Sequence, residues 1–356
     1  MAQIDPKQAL DALCLLTLQP GGAAEAVAYI NRLDADAGKE FLALADAHHV
    51  LVRALANVAC HTADPELGRW ATVAIADEHE RIRHALAALS TICAELEAAG
   101  CPVTVMKSLD HWPDLGNDLD LFTTADEQRV VTVMTEKFGA QIESRSWGDR
   151  LANKWSFRVP ELPEAVEVHA GRLGQTGEHT ELAQRFISRR VPREVGGYTF
   201  LVPELEERVI EATLQRMYRH FYFRVCDILD TVALIDAQAL DYGELRRASE
   251  QAGIWPGVAT FLTIVSDWSQ RHRREPLDLP EPVMAASRCR GSAVYIGGKF
   301  FRIPVLPCGA KLYAEQVTHT AWRGDIPATL RLSLLPPLAS AAAVAFRLTG
   351  SDKGVW

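Results

Sequence analysis

Lys107-Ser-Leu-Asp-His-Trp-Pro-Asp-Leu-Gly-Asn-Asp-Leu-Asp-Leu-Phe122 is the stretch on which the reading of this chain turns. Asp118 and Asp120 sit one residue apart in an otherwise apolar run of Leu119, Leu121 and Phe122. Just upstream, Cys-Pro-Val-Thr-Val-Met106 reads as a buried strand that ends on Lys107. Alternate residues of a strand point to one face, so the two carboxylates stand side by side, roughly 7 Å apart. Charges at that spacing repel by about 2 kcal/mol at an effective dielectric of about 20, before any desolvation cost. A chain that carries this penalty most often recovers it by binding a divalent cation, which in turn can hold phosphate oxygens.

Working outward, a phosphoryl-transfer site needs a third carboxylate, a donor for the polyphosphate and a base for the acceptor hydroxyl. Glu167, in the short alternating strand Ala165-Val-Glu-Val-His169, is the candidate third carboxylate. His169 shares its face and reads as a residue that orients a ligand or as a core histidine. Lys107 and Ser108, at a strand end leading into a turn or helix start, read as nucleotide-binding residues that meet the β- and γ-phosphates. A D-x-D pair alone is common in surface strands. The lysine before this one and the acidic strand after it are what single it out.

The rest of the chain frames this segment. Spacings of three and four predict helices over 7–17, 24–33, 38–60 and 67–99, broken at Pro20-Gly21-Gly22 and Thr62–Pro65, with Gly100 as a C-terminal cap. The period then changes. Strands are expected at 102–106, 118–122, 140–143, 154–159 and 165–169, with a helix near 125–137. Helices return over Glu204–His220 and Phe223–Ala237 and in shorter pieces to about residue 271. Ser292–Pro304 reads as a hairpin turning on Gly297-Gly298, succeeded by a helix over Ala310–Trp322. This gives an α+β fold in four parts: a helical region 1–100, an α/β core 101–202, a helical bundle 203–272, and a C-terminal extension 273–356.

Composition narrows the function. The chain has 356 residues, is 48% hydrophobic and carries a net charge of -9, which argues against a polynucleotide partner. Residues 271–311 depart from this balance, with eight basic residues against three acidic ones, a pattern that suits either an anion site or a solvated surface. Cys14, Cys60, Cys93, Cys101, Cys226, Cys289 and Cys308 are scattered without C-x-x-C spacing and do not read as a zinc site or disulfide framework. The N-terminus lacks a signal-peptide pattern, and Leu330–Leu348 is interrupted by Arg331, Pro336, Pro337 and Arg347, so a cytoplasmic protein without a membrane span is expected. Ala37-Gly38-Lys39-Glu40 lacks the P-loop spacing, and neither G-x-G-x-x-G after a strand nor G-x-S-x-G occurs.

Several segments together resemble the uncharacterised nucleotidyltransferase family of bacterial proteins, relatives of the polymerase-β-type fold. They are Leu44-Ala-Asp-Ala-His-His-Val50, Glu97-Ala-Ala-Gly-Cys-Pro-Val103, Asn117–Phe122, Val166-Glu-Val-His169, and His220 with Phe223–Asp230. The resemblance implies a nucleotidyltransferase-like sheet and transfer of a nucleotide from an NTP such as ATP, assisted by two Mg²⁺ ions. In it Asp118, Asp120 and Glu167 bind metal, and Glu167 helps deprotonate an acceptor hydroxyl of a small molecule, sugar or peptide. His220 is similar to a histidine that recurs in the family, here beside the aromatic residues Tyr218, Phe221, Tyr222 and Phe223. Arg224 and Asp230 also recur there, and here they suit a helix–helix ion pair that braces the sheet. Two departures stand out: Lys107-Ser108 replaces the family's Lys-Gly, and the arginine often found shortly before the acidic motif is missing. They leave open a second reading, a module of the same fold that binds a nucleotide or a partner protein without turnover.

Overall fold

Apolar residues recurring at helical spacing produce five helices ahead of the first strand. They are α1 (Pro6–Thr17), α2 (Ala23–Ile30), α3 (Ala35–Ala47), α4 (Leu51–His61) and α5 (Pro65–Ala98). Side chains of Asp5, Asp34 and Asp64 accept first-turn N–H groups of α1, α3 and α5, which fixes where each begins. This computed structural model describes residues 4–19, 21–237 and 240–349; Pro20 and Met1–Gln3, both used in the sequence reading, lie outside them. The single helix expected over 38–60 is two, because His49 adopts a left-handed φ of 50° and breaks the run between α3 and α4.

The sheet comes next: β1 (Val103–Val105), β2 (Asp118–Thr123), α6 (Glu127–Phe138), β3 (Gln141–Ile142), α7 (Trp147–Ala152), β4 (Lys154–Arg158) and β5 (Ala165–Ala170). Its order is β1-β2-β5-β4-β3, with β2 and β5 parallel and every other pair antiparallel. One face is apolar. Leu119, Leu121, Val166 and Val168 share a core with Leu86, Leu89, Ile92 and Leu96 of α5. Strand alternation therefore turns Asp118, Asp120, Glu167 and His169 to the opposite face.

Beyond the sheet come α8 (Thr180–Ser188) and a two-stranded hairpin, β6 (Arg190–Val195) with β7 (Tyr198–Pro203), neither expected from the sequence. Gly196 and Gly197 form its tip at φ of 57° and 85°, the positive values that a two-residue hairpin turn requires. α9 (Leu205–Thr213) runs into a π-helical turn, Leu214–His220, so the expected helix Glu204–His220 changes pitch halfway. After it lie β8 (Tyr222–Phe223), α10 (Val225–Ala237), α11 (Tyr242–Gln251), α12 (Trp255–Arg273) and α13 (Glu281–Ala286). The extension continues as β9 (Tyr295–Gly297), β10 (Phe300–Arg302), α14 (Ala310–Trp322), α15 (Ile326–Ser333) and α16 (Leu335–Thr349). The expected hairpin is present, with Gly298-Lys299 at its tip, and it pairs with β8 in the order β8-β10-β9. The architecture is α+β, with a small mixed sheet among helices. Among the described residues no helix is long and apolar enough to cross a membrane. The basic run of 271–311 forms no single patch: Arg273 pairs with Asp236, Arg288 with Glu315 and Arg290 with Asp267.

Arg53 of α4 ties these layers together. It donates to Asp114 at 2.8 Å, to Asp230 of α10 at 2.6 Å and to the His49 carbonyl at 2.8 Å. Asp114 is buried and also accepts from the Val52 N–H at 2.6 Å. Arg53→Ala would strand two buried carboxylates, and removing one partner of a buried pair typically costs about 3–5 kcal/mol. Urea unfolding should show a loss of that size for Arg53→Ala; a loss below about 1 kcal/mol would mean the cluster is solvated.

Candidate active site

The parallel register of β2 and β5 sets Asp120 opposite Glu167. Asp118, Asp120 and Glu167 all line one cavity of about 260 Å³ between the polar sheet face and the π-helical turn. Asp120, Glu167 and His169 each offer a ligand atom, and these atoms lie within 4.8 Å of one another. Asp118 lines the same cavity from the more exposed end of β2, outside that tight group. His169 Nε2 is buried there without a hydrogen-bond partner among the described residues, 3.9 Å from Asp120 Oδ1, whose one close partner is the Lys107 ammonium. Ligand atoms this close suit a cation, which would take the place of the lysine, and the oxygen-rich donor set suits a hard divalent ion. The imidazole can serve as an acceptor because burial, Lys107 and Lys154 lower its pKa to about 3 and keep it neutral.

Two lysines neutralise this face. The Lys107 ammonium lies 2.8 Å from Asp120 Oδ1. Lys154, opposite His169 on β4, reaches both Glu167 oxygens at 3.0 and 3.1 Å and Asp149 at 3.3 Å. The carboxylates respond differently. Burial works to raise Glu167, but Lys154 and Lys107 outweigh it and bring the pKa down to about 2. Burial, then Glu167 and Asp120, push Asp118 up to about 6. Asp120 is also raised, chiefly by burial. Ser108 is committed to the strand: its hydroxyl accepts the Asp120 N–H at 2.8 Å and donates to the Asp118 carbonyl at 3.1 Å.

The opposite wall is cationic. Arg216, Arg219, His220 and Arg224, with His49 and His111, complete the cavity lining. His111 closes a 3-10 turn that begins at Lys107, and its Nδ1 donates to Asp230 at 2.6 Å. Burial opposes its charge, but Cys226 and the Asp230 carboxylate overcome this and raise its pKa to about 10. His49 stacks on it at 4.8 Å and is held neutral, first by burial and then by His111 and Arg224. His220 is likewise neutral through burial and Arg219, its ring 5.4 Å from Tyr222. Arg216 pairs with Asp227 at 2.8 Å. Arg224 touches His49, while its Nε and His49 Nδ1 are buried with no hydrogen-bond partner among the described residues. Donors without partners on this wall thus share a cavity with the carboxylates of the sheet. That polarity matches a metal-bound polyphosphate.

The sequence-read residues thus divide. Lys107, Ser108, Asp118, Asp120, Glu167, His220 and Arg224 all line the cavity, and His169 adjoins it. Asp230 stands behind the wall and makes the helix–helix ion pair with Arg53, while Arg224 takes no part in it. Lys154, His49, His111, Arg216 and Arg219 were not read as site residues. The pairing of β4 with β5 brings in Lys154, the π-helical turn Arg216 and Arg219, the α3–α4 break His49, and the 3-10 turn after β1 His111.

A small mixed sheet with a carboxylate-bearing strand pair is consistent with a nucleotidyltransferase-like fold. Residues 35–270 match the family described as uncharacterised nucleotidyltransferase, and the chain belongs to it: an enzyme of that class acting on a nucleoside triphosphate. No curated protein matches the chain.

The charge on His111 has a consequence for stability. Its folded pKa, about 10, exceeds the ordinary 6.5, so its contribution is complete below about pH 6.5 and is lost as pH rises through 10. His111→Gln should flatten the fall in Tm between about pH 7 and 10. An unchanged slope would show that the imidazole is neutral throughout.

Proposed function

We propose that this enzyme transfers a nucleoside monophosphate from an NTP, ATP among them, to a hydroxyl of a small molecule, sugar or peptide, with Mg²⁺ and release of pyrophosphate. One observation carries the reading: Asp120 and Glu167, whose ligand atoms lie within 4.8 Å of each other and of His169, line one cavity with arginine and histidine donors that lack partners among the described residues. Asp118, Asp120 and Glu167 would hold two Mg²⁺ ions, with the neutral His169 beside them. When bound, the ions would neutralise the charge of the phosphates and of the developing transition state. Ser108 keeps Asp120 in register, a role its hydroxyl performs without meeting phosphate. Lys107, which pairs with Asp120, would be free to track the polyphosphate were a metal to take its place there, and Arg219, Arg224 and the His111 imidazolium can bind the leaving pyrophosphate.

The acceptor oxygen attacks the α-phosphorus, the bond to the bridging oxygen breaks, and pyrophosphate leaves with that electron pair. The hydroxyl proton passes to a carboxylate of the sheet face. Glu167, whose charge Lys154 and Lys107 favour, is suited to remain an anionic ligand. The net charge of -9 favours a small acceptor over a polynucleotide. A supply of nucleoside triphosphate suits a cytoplasmic location.

Calorimetry with Mg²⁺ and each NTP, then a pyrophosphate assay over candidate acceptors, tests this. Binding with pyrophosphate release is expected. Binding without release across the acceptor classes favours the turnover-free module, and absence of binding removes both readings. Asp120→Asn should lower metal-dependent transfer by about 100-fold or more while Tm stays the same or rises, because a raised carboxylate pKa means its charge costs stability. Full activity in that variant would exclude Asp120 as a ligand. Mg²⁺ affinity of the wild type should fall as pH drops through about 6, where Asp118 takes up a proton.

A further inference from the structure

The segment His220–Arg224 supplies two side chains to the cationic wall, yet it does not hold its own shape. It leaves the π-helical turn through Phe221, a non-glycine residue at a φ of 52°, and only two residues, Tyr222 and Phe223, are extended before α10 begins. Its support comes from the C-terminal extension, beyond residue 270, where the family match ends. β10 pairs with β8, setting Phe301 opposite Phe223 and Arg302 opposite Tyr222. The Ile303 N–H donates to the Phe221 carbonyl at 2.8 Å. The Phe300 ring stacks on Tyr222 at 4.3 Å, with the Arg302 guanidinium 5.3 Å from the same ring. Gly309 lies so close that a Cβ there would come within 2.5 Å of the Phe221 ring, so only glycine admits it.

The hairpin also grips the other donor of the wall. His48 Nδ1 accepts the Val225 N–H at 2.9 Å, so Nε2 carries the proton and donates to the Lys299 carbonyl at the hairpin tip at 2.7 Å. Burial favours that neutral form, lowering the pKa to about 4. His48 thereby joins the hairpin tip, the start of α10 and the α3–α4 break. The next residue is His49, which touches Arg224 in the cavity.

We infer that the hairpin β9–β10 is a positioning element of the active site: through Phe300 on Tyr222 and Lys299 on His48 it aims Arg224 and His49 at the polyphosphate chain of the nucleotide. This rests on the reading of the cationic wall as the polyphosphate site. Phe300 is a positioning residue and does not line the cavity.

The test is calorimetry on the full chain with magnesium tripolyphosphate, a probe free of base and sugar, alongside MgATP. Phe300→Ala should weaken tripolyphosphate binding about tenfold, the scale of one lost ring contact, and Phe300→Tyr should restore it. In an Arg224→Ala background, Phe300→Ala should bring little further loss, because its effect passes through that arginine. Trp322→Ala, an exposed change elsewhere in the extension, should bind as the wild type does. If Phe300→Ala melts below the assay temperature, Arg302→Leu carries the same cycle with an expected loss of about threefold. Undiminished affinity in the hairpin variant, or an equal tenfold loss with Arg224 already removed, would overturn the inference while leaving the polyphosphate site standing. A wild type that binds neither probe would remove that site, and the inference with it.

Discussion

The parallel pairing of β2 with β5 is the constraint on which the site depends. It puts Asp120 and Glu167 at one register position, and the chain must leave the sheet and return to achieve it. Between the two strands the chain runs through α6, then adds β3 and β4 to the sheet edge with α7 between them, and this brings the compensating charge along. β4 returns antiparallel beside β5 and sets Lys154 where it meets Glu167. A register slip of one residue would send Glu167 into the core under α5 and bring Val166 to the polar face. The apolar side of the sheet and the carboxylate side therefore enforce each other.

Charge in this protein is organised locally rather than globally. The chain as a whole is acidic, yet the wall facing the sheet collects three arginines and an imidazolium. Low-dielectric surroundings sharpen both halves. They leave Asp118 reluctant to ionise, hold His49 and His220 neutral, and let Asp230 and Cys226 keep His111 charged. Neutral histidines can donate to phosphate oxygens without repelling neighbouring arginines, so the wall holds more donors than it holds charges. Arg53 makes this arrangement rigid, since its carboxylate partner Asp230 is also the partner of His111.

How much of this was legible in the sequence depended on whether the signal was local. Asp118, Asp120 and Glu167 stood out because the strand period turns apolar neighbours one way and carboxylates the other within a few residues. The helices up to Ala98 were visible for the same reason, apart from the break at His49, where two adjacent histidines hide a left-handed residue inside an apolar rhythm. Lys154 was not legible because its meaning lies in an antiparallel register with a strand still to come. Arg216 and Arg219 were hidden because a basic residue on a helix carries no local sign of which distant strand it faces. The hairpin β6–β7 carried a turn signal in Gly196-Gly197, masked by Pro192 and by the charged residues of β6.

The C-terminal extension makes the reason for such gaps concrete. By matching alone the chain divides near residue 270, and the segment after that point looks like an addition. Packing divides it differently. Phe301 and Ile303 belong to the same core as Phe223, Phe261 and Trp268, with the Phe301 and Trp268 rings 4.4 Å apart. The hairpin thus holds the loop beside it through a shared core. The loop in question carries His220 and Arg224, and its left-handed Phe221 is an unfavourable conformation for an isolated chain. The matched region contains the carboxylates of the sheet face but not all the contacts made by the segments opposite them. A polar site assembled from distant segments demands this kind of support, because each donor must be fixed before the ligand arrives if it is to bind without a reorganisation cost.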